Sequence, residues 1–289
     1  MASIREMQGR IHTVESIEQM TRALQAVSAS QVRTVKELSE NTLPYTTLAW
    51  QVLTDLKHEA EFFAQHRVFM PPDETAPVFA VFVSADRGLA GSFPMNILKE
   101  ALQLERKVNR PIQYISVGKK GRDMLQRRNR KIIADFSDIS SVTSFHDIKA
   151  LSTIVTDDFD QGHAGQVYLI FTEYESISHF KPTSRRLLPF ADDSLPIDVN
   201  TVRKGSCLYE GDPNLIINSL LRRYVRMELF HAITSSKASE YTSRMLAMND
   251  ATEKSEELLQ SLHLEFNRVR QSGITNDILD IMGGANIKN

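Results

Sequence analysis

Two glycines, Gly88 and Gly91, stand in a segment that could hold a phosphate, since Val81–Phe93 reads VFVSADRGLAGSF. An apolar run ends in a short turn and a helix is predicted to follow, which is where doubly wound folds place a nucleotide phosphate. The spacing matches neither G-x-G-x-x-G nor G-x-x-x-x-G-K-S/T, and no lysine stands at the helix start. The pattern therefore favours a structural turn, capped or locally paired by Asp86 and Arg87, and leaves a nucleotide site as the alternative.

Other reactive residue types are present without the spacing that chemistry needs. Lys119 and Lys120 lie between two glycines in VGKKGRDML, where a solvated basic turn is favoured over an anion cradle. The eight histidines show no i, i+4 pair beside a carboxylate, and the single cysteine, Cys207, excludes an intrachain disulfide and a cysteine-based zinc site. We expect no catalytic residue, no metal and no bound cofactor.

The charges and apolar residues exclude several classes of partner. There are 34 Lys and Arg against 36 Asp and Glu, so the whole chain has no field that would attract nucleic acid. The longest apolar run, Ala76–Val83, is too short to cross a bilayer, and the amino-terminal residues lack the apolar core of a signal peptide. We expect no nucleic-acid partner, and contact with a membrane only through other subunits.

The carboxy-terminal part of the chain predicts one very long helix. All ten prolines lie between Pro44 and Pro213, and residues 214–272 contain neither Gly nor Pro. Apolar residues follow each other there at steps of three and four, which is the seam of a coiled coil. Thr234, Ala238, Thr252 and Ser255 interrupt this seam, so the contact should be thin there or should leave the partner helix.

The amino-terminal residues predict the second helix of a pair. Their apolar stripe runs from Ile4 to Leu38, with a three-three phase shift near Ile17 that is typical of a stammer. Pro44 should interrupt or kink this helix, which can resume towards Lys57. Two narrow stripes at opposite ends of one chain bury each other best as an antiparallel intramolecular coiled coil.

The middle of the chain predicts an α/β domain. Short β-branched and aromatic runs (PVFAVFVSA, PIQYISVG, RKIIADF and GQVYLIFTEY) alternate with helical stretches, which indicates a mostly parallel, doubly wound, Rossmann-like sheet. The predicted domains are an amino-terminal helix at 1–58, a central α/β domain at 71–204 and a carboxy-terminal helix at 212–287.

The carboxy-terminal tip is apolar on more than one side. Its apolar residues are followed by Gly283 and Gly284, which predict a glycine C-cap. An exposed apolar tip usually marks a binding surface, although folding back onto the body is the alternative. The residues concerned are Ile274, Ile278, Leu279, Ile281 and Met282.

The sequence resembles the gamma subunit of F-type ATP synthases. RIHTVESIEQMTRALQAVSAS is similar to the family's amino-terminal helix, SADRGLAGSF to its signature turn, and LYEGDPNLIINSLLRRYV to the entry of its carboxy-terminal helix. The segment from ASEYTSRMLAMNDATEK to DILDIMGGA is similar to the family's most characteristic stretch. The part from Arg106 to Thr201 matches only in its general alternation of strand-like and helical segments.

The resemblance implies a rotor: a shaft of paired terminal helices inside a ring of alpha and beta subunits, and a central foot that joins the epsilon subunit and the membrane c-ring. The tip would turn in an apolar sleeve formed by its partners, and Val202–Asp212 would belong to the foot. The turn Asp86, Arg87, Gly88 and Gly91 would be a structural part of that foot. The residues implied to face beta-subunit loops are Arg22, Leu24, Arg33, Arg244, Arg270, Gln271 and Thr275.

The sequence departs from the family pattern at a few positions. Leu24 and Ala26 stand where methionines are usual, and Gln31 where a lysine is frequent, so the contacts of that patch can differ. The lone Cys207 excludes the cysteine-pair switch of chloroplast members. We expect a peripheral subunit on the cytoplasmic face of a bacterial plasma membrane.

Three hypotheses follow from these patterns. The first is the non-catalytic rotary subunit. The second is a doubly wound nucleotide-binding enzyme with coiled-coil arms, which tight ATP binding would favour. The third is a passive coiled-coil tether, for which removal of Ile278–Asn289 should leave coupling unchanged.

Overall fold

The computed structural model describes residues 4–59, 66–137, 145–190 and 213–286. Cys207 and the predicted foot segment 202–212 fall outside these ranges. The chain divides into two compact units, of which unit 1 comprises Met1–Ala29 and Arg244–Asn289 and unit 2 comprises Ser30–Ser243. The helix α1, Ile4–Glu59, and the final helix α5, Pro213–Asn286, each contribute residues to both units.

Unit 1 is an antiparallel helix pair, as the two stripes predict. Met7 and Ile11 of α1 pack in one apolar cluster with Leu262 of α5. Further along α1, the Thr21 Oγ1 and Thr252 Oγ1 atoms lie 2.7 Å apart. The α5 partner number falls as the α1 number rises, which confirms the antiparallel direction.

The α1 seam contains polar residues at regular heptad positions, so the predicted phase shift near Ile17 is wrong. Ile17, Met20 and Val27 are instead 46%, 63% and 55% exposed. The seam continues because its polar side chains bond across to α5, for example Gln25 Nε2 to Asn249 Oδ1 at 2.8 Å. Alternating steps of four and three join the buried and half-buried seam residues Met7, Ile11, Val14, Glu18, Thr21, Gln25 and Ser28.

Neither Pro44 nor the terminal glycines end a helix. Pro44 lies inside α1, so of the two predicted alternatives the interruption is wrong and the kink stays a prediction. Gly283 and Gly284 lie inside α5, so the predicted glycine C-cap is wrong. A proline removes one backbone donor, and a glycine adds backbone freedom. Both helices nevertheless continue through these residues.

Unit 2 contains a five-stranded sheet in the order β3-β2-β1-β4-β5. The first four strands are mutually parallel and β5 is antiparallel to β4, which confirms a mostly parallel, doubly wound sheet. The strands are β1 Val78–Val83, β2 Ile112–Val117, β3 Ile132–Asp135, β4 Gln166–Tyr174 and β5 Phe180–Leu188. The connecting helices are α2 Phe93–Val108, α3 Lys119–Gln126 and α4 Lys149–Asp160.

The sequence patterns missed β5. Its sequence, FKPTSRRLL, is polar over most of its length, and most of its residues are half-buried. Pro182 and two arginines suit an edge strand, which needs ladder bonds on one side only. The turn after Tyr174 is closed by the amides of Glu175 and Ser176, which donate to the His179 carbonyl oxygen.

Two apolar cores lie on opposite faces of the sheet. All six β1 residues are buried, with Phe79, Val81 and Val83 facing one core and Val78, Ala80 and Phe82 the other. The first core also contains α4 and the α5 residues Ile217 to Ile233, and the second contains α2 and α3. The first part of α5 is thus a covering helix of the α/β domain.

We expect Thr252→Val to lower the free energy of unfolding by about 1 kcal/mol, because it leaves the buried Thr21 hydroxyl without its partner across the seam. The double variant Thr21→Val with Thr252→Val should recover most of that loss. Urea unfolding of the four proteins of this double-mutant cycle measures the coupling. Thr13→Val, at an exposed α1 position, is the matched control and should change stability by less than about 0.5 kcal/mol; additive Val substitutions would contradict the assigned seam.

Candidate functional site

The turn after β1 depends on left-handed backbone at two positions. Leu89 has φ 62° and Gly91 has φ 52°, whereas no such angle occurs at Gly88. Gly91 thus has the conformational role that the sequence predicted, and Leu89 has the role expected of Gly88. Leu89 is 64% exposed, so its left-handed backbone, which costs a non-glycine residue about 1 kcal/mol or more, is not offset by burial of its side chain.

Asp86 pairs with helix α5, far away in the sequence. Its carboxylate forms an ion pair with Lys237 Nζ, and Lys237 Nζ also lies 3.5 Å from Glu240 Oε2. The side chains of Lys237, Asp86 and Glu240 are only 7%, 11% and 3% exposed. Asp86 Oδ1 also accepts a hydrogen bond at 3.2 Å from the Lys119 amide, which lies 33 residues away at the start of α3. Neither partner belongs to the turn of Asp86, so the prediction that Asp86 caps or pairs locally is wrong.

The carboxylates of this ion cluster favour the charged form of Lys237 over the neutral form. Burial by itself lowers the pKa of Lys237, but the carboxylates of Glu240 and Asp86 outweigh burial, so the pKa lies above its ordinary value. One ammonium between two carboxylates is a geometry in which each member depends on the others. Removing one partner from such a buried set leaves an uncompensated charge, which is far more costly than losing an exposed pair.

Serine side chains of α5 complete the backbone bonding of β4. The β1–β4 pairing ends at Phe82 and Ile170, so Thr172 and Tyr174 extend past the end of β1. The Thr172 amide donates to Ser236 Oγ and the Tyr174 amide to Ser235 Oγ, each at 2.8 Å. These hydroxyls accept the backbone hydrogen bonds that the carbonyl groups of a neighbouring strand would otherwise accept.

The loop after β1 is also bonded to α5 at Ser243, which follows the Lys237 ion cluster along that helix. Ser243 Oγ donates to the Ala90 carbonyl oxygen at 2.8 Å. Ala90 packs with Ala85 and Phe93 in a small buried cluster beneath the turn. Arg87 and Gly88 are exposed at its outer side.

The α5 residues 235–243 occupy the crevice in which doubly wound folds bind ligands. The strand order reverses between β1 and β4, and ligands bind outside the carboxyl ends of the strands at this switch point. Here the buried Ser235, Ser236, Lys237, Ser239 and Ser243 pack against those strand ends. The polar interruption of the α5 stripe thus marks the segment where α5 bonds to the sheet.

The basic segment after β2 does not form an anion cradle. Gly118 has φ 102°, and a side chain there would collide with the Ser84 carbonyl oxygen. The Lys119 amide, which would face a bound anion, donates to the Asp86 carboxylate. Lys119 and Lys120 are exposed, as a solvated turn predicts.

A second polar cluster lies between β5 and α5. Arg185 Nη2 donates to Glu228 Oε2 at 2.9 Å, and its guanidinium lies 5.4 Å from the centre of the Phe171 ring. Burial raises the pKa of Glu228, and the charge of Arg185 opposes that shift. Burial, and then the charge of Arg185, lowers the pKa of His231 to about 4, so this imidazole is neutral near pH 7.

The residues expected to face beta-subunit loops differ in exposure. Arg22 is exposed, although it pairs with Glu18 and Glu256 at 2.7 Å each, and Arg33 is exposed beside Glu37. Leu24 is half-buried, and Arg244 is only 7% exposed. Arg270, Gln271 and Thr275 are exposed on α5.

The apolar residues of the α5 tip are exposed within this chain. Ile278, Leu279 and Met282 are 53%, 62% and 64% exposed, while the Ile281 side chain lies outside the described part of the chain. The sequence patterns missed a second exposed apolar row, Ile17, Met20 and Val27 on α1. The sequence signal for this row was the apparent phase shift near Ile17, which arose because seam residues and exposed residues were read as one stripe.

The described residues contain no cluster of three or more His, Cys, Asp or Glu that could hold a metal ion. Among the helices of the same ranges, none is both long and apolar enough to span a membrane.

Comparisons with known proteins agree on one family. The ATP synthase family model matches residues 3–287. The ATP synthase gamma chain of Dehalococcoides mccartyi is 33% identical over 290 residues, which cover 99% of each chain. The gamma chain of Roseiflexus castenholzii is 31% identical over 288 residues, covering 99% of this chain and 98% of the relative.

Solved structures show the same fold. The rotor of the Euglena gracilis mitochondrial ATP synthase matches with a TM-score of 0.62 at 16% identity, covering 94% of this chain and 98% of that chain. A chain of the Tetrahymena thermophila mitochondrial ATP synthase central stalk and c-ring matches with a TM-score of 0.59 at 22% identity, covering 80% and 99%.

We expect Lys237→Met to lower the free energy of unfolding by about 3 kcal/mol, because Asp86 and Glu240 would stay buried without a counter-charge. Urea unfolding of the full chain measures the change. The exposed Lys254→Met is the matched control, with an expected change below about 0.5 kcal/mol. Adding Asp86→Asn and Glu240→Gln should restore much of the loss; a Lys237→Met protein as stable as the parent would contradict the ion cluster.

The neutral His231 should make stability depend on pH. Between pH 6.5 and about 4 the unfolded chain binds a proton at His231 that the folded chain does not bind, so stability falls with falling pH, by at most about 3 kcal/mol. Glu228, whose pKa is raised, contributes in the opposite direction. The difference in unfolding free energy between the parent and His231→Gln isolates the histidine, and it should shrink across this window. His263→Gln, at an exposed position, is the matched control. A His231→Gln difference that does not change across this window would refute the assignment.

Proposed function

This chain belongs to the ATP synthase gamma-chain family, and from that premise we propose that it is the central-stalk rotor subunit of an F-type ATP synthase. In that role it transmits torque between the membrane c-ring and the ring of alpha and beta subunits. It thereby couples ion flow to ATP synthesis or hydrolysis. It is a subunit of the enzyme complex and carries no catalytic residue of its own.

The observation that carries this proposal is the fixation of α5 to the sheet. Torque passes through a helix only if that helix cannot turn or slide in its seat. The Lys237 ion cluster and the serine bonds to β4 and Ala90 oppose both movements over residues 235–243. The same continuous helix then extends into the helix pair with α1.

The proposed contacts use the outer faces of the helix pair and the tip. Arg22, Arg270, Gln271 and Thr275 are exposed and polar, which suits loops that must slide past without sticking. The apolar tip, with Ile278, Leu279, Ile281 and Met282, suits an apolar sleeve formed by the surrounding ring. Leu24, Arg33 and Arg244 complete the proposed set, and the exposed Ile17, Met20 and Val27 add an apolar row on α1.

The proposed partners are the alpha, beta and epsilon subunits and the c-ring. The proposed location is the cytoplasmic face of a bacterial plasma membrane, reached through those partners. The turn Asp86–Gly91 belongs to the foot, where it anchors α5.

The nucleotide-binding alternative has a specific obstacle. A ligand at the switch point would have to displace Lys237 and the serines from bonds that the folded chain already makes. Calorimetric titration of the full chain with ATP should give no saturable heat, whereas tight binding would favour the enzyme hypothesis.

The proposed function is tested by assembly. The chain should co-purify with alpha and beta subunits and restore rotation-coupled ATP hydrolysis, while the isolated chain should hydrolyse no ATP. Removal of Ile278–Asn289 should impair coupling, since a passive tether would tolerate the loss. Failure to co-purify with alpha and beta would contradict the proposal.

We expect Arg270→Ala to lower the coupled ATP synthesis rate of the assembled complex on the order of tenfold, as loss of one well-placed interface arginine does. Arg268→Ala is the matched control, because Arg268 is an exposed arginine on the same helical turn that is outside the proposed contact set. ATP synthesis driven by an ion gradient across membrane vesicles measures both variants. Equal rates for the two variants would remove Arg270 from the interface.

A further inference from the structure

The positive charges of this chain are concentrated in one stretch. Residues 105–131 contain ten Lys or Arg and only two acidic residues, although the whole chain has a formal net charge of −2. The rest of the chain is correspondingly acidic. A local field of this kind steers an acidic partner to one place on the surface.

The fold collects six of these cations around the amino-terminal ends of β2 and β3, and we call this surface the basic edge. A helix that connects two parallel strands ends beside the amino-terminal ends of those strands, so the ends of α2 and α3 meet the starts of β2 and β3. Arg130 Nη2 ties these segments together by an ion pair of 2.6 Å with Glu105 Oε2. The basic edge consists of Arg106, Lys107, Arg127, Arg128, Arg130 and Lys131.

Most of the basic edge is uncompensated. Arg106, Lys107, Arg127, Arg128 and Lys131 are exposed, and none of them forms an ion pair with the described residues. A helix carboxyl terminus accounts for one or two cations, since these complement the helix dipole. Five exposed cations around two helix ends exceed that need, and their mutual repulsion favours a bound anion.

The unpaired side of strand β3 begins next to the basic edge. Strand β3 is the last strand of the sheet, and within the described ranges it pairs only with β2. A groove of about 500 Å³ runs along it, and its far end is already neutralised, because Arg122 pairs with Asp123 and Asp135 at 3.1 Å each. The groove is lined by Arg122, Gln126, Ile132, Ile133, Ala134 and Asp135.

We propose that this face is a docking site for an extended acidic segment of a partner polypeptide. The segment adds a strand to the outer edge of β3, places small apolar side chains along Ile132, Ile133 and Ala134, and sets its carboxylates against Arg127, Arg128 and Lys131. Strand addition to an open edge gives affinity through main-chain bonds, and the charges fix direction and register. An anionic bilayer would use the cations alone and leave the groove and the strand edge unused.

This docking site goes beyond the proposed function, because none of the contacts assigned to the rotor role includes it. The outcome of a binding test on the full chain is therefore independent of the outcome of the assembly test with alpha and beta subunits.

The test uses a fluorescein-labelled decapeptide with the sequence EEEEVTVTVT and fluorescence anisotropy with the full chain. Saturable binding is expected. The variant R127Q/R128Q/K131Q should weaken that binding on the order of tenfold, as loss of three modest ion pairs does. The matched variant R5Q/K254Q/R268Q removes three exposed cations elsewhere and should bind like the parent.

Two further probes separate strand addition from simple charge attraction. A peptide with proline in place of each valine keeps the four glutamates and should bind at least several-fold more weakly, because proline removes ladder donors. Phosphatidylglycerol vesicles should not compete with the peptide for the basic edge. Absence of saturable peptide binding, equal binding by the two triple variants, equal binding of the proline peptide, or full competition by vesicles would each overturn the proposal.

Discussion

The structure depends on one ammonium group, Lys237 Nζ, held between the carboxylates of Asp86 and Glu240. These residues come from the turn after β1 and from α5, so the ion cluster fixes a helix of the carboxyl terminus to the first strand of the sheet. The neighbouring serines extend the attachment by bonding to the free backbone of β4. The crevice that serves other doubly wound proteins as a ligand site is, in this chain, the seat of its own helix.

Polar contacts have a similar role in the helix pair of unit 1. Thr21 with Thr252 and Gln25 with Asn249 lie in the seam, where apolar residues would give more burial energy but less specification of register. A buried polar residue in a coiled coil restricts the sliding of one helix along the other, since each displaced pairing leaves an unsatisfied group. A shaft that must keep its register under load benefits from that restriction.

The long helices, their antiparallel pairing and the parallel sheet were predictable, because each produces a periodic apolar pattern that burial alone explains. Three of the errors arose where polar groups decide the structure. The heptad positions Glu18, Thr21 and Gln25 are invisible to an apolar period, so the exposed Ile17 was assigned to the seam. Strand β5 was missed because an edge strand tolerates charge, and the partner of Asp86 was missed because Lys237 is 151 residues away. Ion pairs at that separation leave no local signal in a single sequence.

The most direct test of the central claim is to observe rotation. A bead attached to this chain, in a complex immobilised by its beta subunits, reports the motion of the chain during ATP hydrolysis. The account predicts that the bead rotates continuously in one direction. A complex that hydrolyses ATP at a normal rate while the bead on this chain does not rotate would contradict it.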